Sequence, residues 1–115
     1  MNAKEFEELS TQRVEHCLSL LNTKGMEYSR NGDRLHNFYT AAAMSNNSEF
    51  EALWGMWVKH LVSVKDMVLD CANGVFPNQQ LIDDKLSDTI NYSLLLEGLI
   101  VEAKKHSIPS VPPAI

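Results

Sequence analysis

An all-α fold, arranged as a four-helix bundle, follows from three features of the 115-residue sequence. Apolar residues recur every three or four positions along most of the chain, no stretch alternates with the period of two that a strand needs, and capping or breaking residues fall in the gaps between the periodic segments. The first helix is expected over Lys4–Asn22, where Phe6, Leu9, Val14, Cys17, Leu18 and Leu21 recur at helical spacing. Gly25 is a natural stop for it. A short second helix follows from Leu35, Phe38, Tyr39 and Ala42, the i, i+3, i+4, i+7 pattern, with Asp33 as its cap and Asn46-Asn47 as its end. Ser48 and Glu51 form a capping box that opens a long third helix to Ala72. Its stripe of Leu53, Trp57, Leu61, Val64, Val68 and Cys71 has the spacing of a bundle seam. Asn73-Gly74 and Pro77 make a turn. A fourth helix is expected over Gln79–Lys105, so that residues 1–105 form one helical domain and 106–115, with Pro109, Pro112 and Pro113, an extended tail.

The bulk properties narrow the function classes. A formal charge of −5 argues against a nucleic-acid surface, which needs clustered Lys and Arg to neutralise phosphates. A small anion is compatible with that charge, because a local cationic cluster or a metal suffices for it. The acidic, amphipathic opening MNAKEFEEL does not read as a signal peptide. No apolar run approaches the roughly 20 residues of a membrane span. Cys17 and Cys71 lie on apolar stripes without metal-ligand spacing, and read as buried free thiols of a reducing cytoplasm. On the third helix Trp54, Met56, Val58, Val62 and Met67 lie off the main stripe. That second apolar surface is expected to be covered by another subunit of a homo-oligomer, a dimer or tetramer.

Polarity is concentrated in three places. The segment KGMEYSRNGDRLHNF, residues 24–38, carries Lys24, Glu27, Arg30, Asp33, Arg34, His36 and Asn37. Asp33 as a plain cap and Asn31-Gly32 as a plain turn explain part of it; Glu27 and Tyr28 have no such local role. On the third helix Lys59, Ser63, Asp66 and Asp70 share one lane, which reads either as a solvated face or as part of a site. His60 reads as packing or as a ligand. On the fourth, Asp84, Asp88 and Asn91 share a wedge, with Asp88 and Asn91 set among Leu86, Ile90, Tyr92 and Leu94–Leu96. The wedge is either a solvent-facing stripe or an inward carboxylate–amide pair, and an inward carboxylate needs a partner or a cation. Phosphate-binding loops, dinucleotide fingerprints, paired CxxC motifs and HExxH are all absent from the sequence. A divalent ion held by carboxylates on bundle helices, serving phosphoryl or pyrophosphoryl chemistry, is the chemistry this composition supports best.

Four motifs in order carry a resemblance. Lys24-x-x-Glu27-Tyr28, Asp33-Arg34-x-x-Asn37-Phe38, Lys59-His60 and Asp88-x-x-Asn91-Tyr92, spread over residues 20–103, resemble the nucleotide-modification-associated helical domain of phage and prophage proteins. That domain is linked with the MazG-like all-α nucleoside triphosphate pyrophosphatases. The resemblance implies a Mg²⁺- or Mn²⁺-dependent hydrolase of the host cytoplasm that cleaves a (deoxy)nucleoside triphosphate to monophosphate and pyrophosphate. Glu27, Asp33 and Asp88 would hold the metal as the catalytic carboxylates. Lys24, Arg34, Asn37, Lys59, His60, Asn91 and Tyr92 would contact the nucleotide. Those enzymes pair an E-x-x-E with a later E-x-x-D; here the second reads Lys85-x-x-Asp88 and no E-x-x-E precedes it in a suitable place. The alternative expectation is a non-catalytic accessory protein that binds or sequesters a nucleotide, or a host protein, with no nucleic-acid or membrane partner.

Overall fold

A computed structural model describes residues 1–107 and contains four helices: α1 Ala3–Tyr28, α2 His36–Ser45, α3 Glu49–Ala72 and α4 Gln79–His106. The expected proline-rich tail lies outside the described residues, except that α4 continues to His106. Among the described residues no helix is long and apolar enough to cross a membrane.

The local signals act largely as the sequence suggests. Asn2 Oδ1 caps α1 by accepting from the Glu5 N–H, and Asn78 Oδ1 caps α4 by accepting from the Leu81 N–H. The Ser48–Glu51 capping box is complete. Asn46, at φ 52°, ends α2 in the left-handed conformation that asparagine tolerates.

Two boundaries differ from the sequence expectation: α2 starts after Leu35 and not on an Asp33 cap, and α1 ends later than Gly25. Gly25 does not stop α1, which runs another turn to Tyr28. Glycine can close a helix, but it also permits close approach, and the latter is its use here. Its backbone is buried beneath the Arg34 side chain, and a Cβ there would lie 2.9 Å from Arg34 Nε and 3.1 Å from Cδ. The chain then reverses at Asn31-Gly32. Both have positive φ, 53° and 77°, and Arg30 and Asp33 exchange two backbone hydrogen bonds across them. Asn-Gly is the pair that adopts such a turn at least cost. The reversal brings Arg34 back over Gly25.

Packing follows a row. α1 lies against α4, α4 against α3, and α3 against α2. The fully enclosed core is small: Phe38, Leu53 and Leu99 form its centre, with Leu35, Tyr39, Phe50, Met56, Trp57, Tyr92, Leu95 and Leu96 packed around it. Cys17 is buried separately between α1 and α4, whereas Cys71, expected to be buried, is half-buried. The radius of gyration is 17.6 Å. A compact domain of this length has a value of about 13 Å. The single chain is therefore an open row rather than a closed bundle. Trp54, Val62, Val68 and Leu69 of α3 are exposed, while Val58 is half-buried.

Candidate functional site

A cavity of about 290 Å³ lies where all four helices meet, lined by Lys24 and Tyr28 of α1, Arg34 ahead of α2, Asn37 and Phe38 of α2, Met56 and His60 of α3, and Asp88, Asn91 and Tyr92 of α4, with Leu21 and Leu95. The extension of α1 past Gly25 creates one wall. It places Lys24 and Tyr28 four residues apart, on one helical face. Seven of the ten sequence-level candidates converge here: Lys24, Arg34, Asn37, His60, Asp88, Asn91 and Tyr92.

Asp88 is the electrostatic centre. Lys24 Nζ donates to its Oδ1 at 2.8 Å, and His60 Nδ1 lies 3.5 Å from Oδ2 without a hydrogen bond. Its partner is thus Lys24, across the α1–α4 contact. Burial of the Lys24 ammonium pulls its pKa down, but the hydrogen bond and charge of Asp88 outweigh this and hold it above the usual lysine value. Burial and the Asp88 charge both raise the Tyr92 phenol. Counting Lys24, Arg34 and Asp88, with His60 neutral, the lining is positive by one charge in a chain whose total is −5.

Asn91 is 95% buried, with 5% of its surface exposed. Its Nδ2 donates to the Cys17 carbonyl at 3.0 Å, which fixes the amide, while its Oδ1 has no partner. An orphaned buried acceptor is uncommon and costs about 1–3 kcal/mol when nothing satisfies it. Beside it Tyr92 stacks on Trp57 with ring centroids 6.2 Å apart, and the His60 ring centroid lies 5.2 Å from that of Tyr92, tilted by 40°. The wall therefore offers an apolar ring surface, an unfilled acceptor and a cationic edge.

The other three candidates lie off this lining. Glu27 is exposed on α1, one position before Tyr28, and Lys59 is exposed on α3, one position before His60. Asp33 is exposed, and its Oδ1 accepts from the Leu35 N–H at 2.9 Å. It does not cap α2 as the sequence suggests, because the N-cap position is Leu35, which has no side-chain cap; Asp33 instead closes a local turn ahead of the helix. Of the polar lane on α3, Ser63, Asp66 and Asp70 line a separate 330 Å³ hollow with Lys85, and Asp84 of the α4 wedge is exposed. Sequence reasoning missed Gly25 as the seat of Arg34, the Cys17 carbonyl as the anchor of Asn91, and Leu21, Met56 and Leu95 as walls. Only Gly25 carried a signal, a glycine within reach of a charged turn, and it reads equally as a helix stop. Sequence reasoning also missed a second tie between α1 and α4: Arg13 donates to Asp83 at 2.7 Å and to the buried Ser87 hydroxyl at 2.8 Å.

A substitution at Gly25 tests the role of Arg34. Gly25→Ala should leave the fold intact, since alanine favours the helix by about 1 kcal/mol and the clash is with a movable side chain. It should displace the guanidinium and weaken binding of a phosphate-bearing ligand about tenfold, the effect of losing one charged contact of roughly 1.4 kcal/mol. Calorimetric titration beside a thermal melt checks both halves.

No protein-family model, curated protein or solved structure matches the chain.

Proposed function

We propose that the chain binds a nucleotide in the cavity between Lys24, Arg34, Asp88 and Asn91. The observation that carries this reading is the Asn91 side chain on the cavity lining, fixed by the Cys17 carbonyl and left with an unpaired Oδ1 acceptor. A nucleobase satisfies such an acceptor with a ring or exocyclic N–H and lies against the aromatic surface of Tyr92. Lys24 and Arg34 supply the countercharge for phosphate. A ligand pocket that is mostly apolar, with a few convergent polar groups, is the usual form of a small-molecule site.

Catalysis is the second reading, and the four-motif resemblance to MazG-like pyrophosphatases is what favours it. Among the described residues no three His, Cys, Asp or Glu side chains gather where they could hold a metal ion. Asp88 is the one carboxylate on the cavity lining. These residues therefore do not fit a resident metal centre built by the protein from Glu27, Asp33 and Asp88. They do fit a Mg²⁺ or Mn²⁺ ion delivered with a triphosphate, because Mg²⁺ is commonly held by one or two carboxylates plus phosphate oxygens. In that case the chain's own contribution is to bind and orient: Asp88 as the carboxylate, Lys24 and Arg34 against phosphate, and Asn37 and Asn91 on the ligand.

The test is a panel of ribo- and deoxynucleoside mono-, di- and triphosphates, with and without Mg²⁺ or Mn²⁺, followed by calorimetry and pyrophosphate release. Binding without release is the expected outcome for a sequestering protein. Release of pyrophosphate with a divalent ion selects the hydrolase. Absence of binding across the panel refutes both.

A further inference from the structure

We infer that the metal-free cavity takes a nucleoside monophosphate in preference to a di- or triphosphate. The inference rests on the nucleotide reading and adds to it the number of phosphates. Two cations line the cavity, Lys24 and Arg34. Lys24 Nζ is held by Asp88 Oδ1 at 2.8 Å, so that pair brings no net charge. Among the described residues Arg34 has no carboxylate within ion-pair distance. Its Nη2 donates to the Leu21 carbonyl at 3.4 Å, and its side chain lies over Gly25, so backbone alone positions the guanidinium. A second hollow that Arg34 borders, of about 420 Å³, is lined by leucines, two glycines and Asn22 and has no carboxylate either. A guanidinium held in this way, with N–H groups still open, suits bidentate recognition of one phosphate. The Tyr28 hydroxyl and the Asn37 amide are neutral donors on the same lining.

Charge sets the limit. A phosphate monoester carries about −1.5 to −2 at pH 7, which the single net positive charge of the lining already leaves partly uncompensated. Each further phosphoryl group adds negative charge and needs another cation. No cationic strip continues from Arg34. Of the charged residues within four positions of the lining in sequence, Glu27, Asp33, Asp84 and Glu97 are acidic, against Arg30, Lys59 and Lys85. Lys85 stands with Asp66 and Asp70 on a separate hollow. The chain as a whole is at −5, a field that opposes additional negative charge. The cavity volume, about 290 Å³, is at the lower end of the range for ligand sites and agrees with the smaller ligand. A divalent ion carried by a triphosphate cancels its excess charge, so the preference belongs to the metal-free site.

The test is calorimetry in EDTA with the deoxynucleosides of adenine, guanine, cytosine and thymine and their 5′-mono-, di- and triphosphates. For the base that binds, the monophosphate should bind about tenfold tighter than the nucleoside, the effect of one charged contact. The triphosphate should bind about threefold more weakly than the monophosphate, and raising salt from about 0.05 M to about 0.5 M should narrow that difference by screening. Arg34→Gln should erase the advantage of monophosphate over nucleoside, whereas Lys104→Gln, at an exposed position near the end of α4, should keep it. The wild-type series decides the matter even if Arg34→Gln fails to fold. A metal-free triphosphate that binds as tightly as the monophosphate, or tighter, overturns the inference and leaves the nucleotide reading standing. So does a monophosphate no tighter than its nucleoside, or a folded Arg34→Gln that keeps the advantage. Absence of binding across the whole series overturns both.

Discussion

Asp88→Asn is expected to change nucleotide affinity in opposite directions with and without a divalent ion. Its carboxylate is paired with Lys24 at 2.8 Å and faces His60 at 3.5 Å, with its side chain 17% exposed. Asparagine keeps the shape and can still accept from Lys24, but it removes the one negative charge on the lining. For a phosphate about 6 Å away at an effective dielectric near 40, that charge opposes binding by about 1.4 kcal/mol. Metal-free binding of a nucleotide should therefore tighten about tenfold. If Asp88 is instead the ligand of a Mg²⁺ ion carried by the triphosphate, binding with Mg²⁺ should weaken at least tenfold, and any turnover should be lost. Calorimetry of both proteins with and without Mg²⁺ reads the sign directly.

The same substitution has a stability component. Breaking a fully buried ion pair costs about 3–5 kcal/mol, because the stranded charge cannot be solvated. Lys24 is not fully buried; its side chain is 41% exposed and can turn its ammonium into water. The expected cost is accordingly closer to that of a partly exposed pair, about 1–2 kcal/mol. A loss of 3 kcal/mol or more by denaturant titration, unaltered by nucleotide or Mg²⁺, would mean that Asp88 is a structural anchor of the α1–α4 contact and not a binding group.

The largest loss of stability is expected from Leu99→Ala. Leu99 is fully buried at the centre of the cluster it forms with Phe38 and Leu53. Truncating a buried leucine costs about 2–5 kcal/mol, through lost transfer energy and the cavity left behind. Domains of this size are stable by only about 5–15 kcal/mol, so one substitution removes a large share. A fall in melting temperature of about 10 °C or more is expected, whereas Met44→Ala, at an exposed position, should change stability by less than about 0.5 kcal/mol. A small effect at Leu99 would place the stabilising core elsewhere, outside the cluster of α2, α3 and α4.

Taken alone, the sequence determined the helices, because their signals are local. The Ser48–Glu51 box, the turns at Asn31-Gly32 and Asn73-Gly74, and the 3.6-residue apolar period act between residues a few positions apart. It also marked Asp88 and Asn91, since a carboxylate and an amide amid leucines signal a special environment wherever they fold. Tertiary structure decided what those residues face. The sequence shows that Asp88 needs a partner but not which one, and the partner is Lys24, 64 positions away in sequence. Gly25 reads as a stop until the turn brings Arg34 over it, and then the missing Cβ is what the packing requires. Glu27 and Lys59 share motifs with Tyr28 and His60, but one residue along a helix is a 100° rotation, enough to move a side chain from the cavity to solvent. Pairings of this kind depend on which helix faces come together in space, and one-dimensional periodicity carries no information about that.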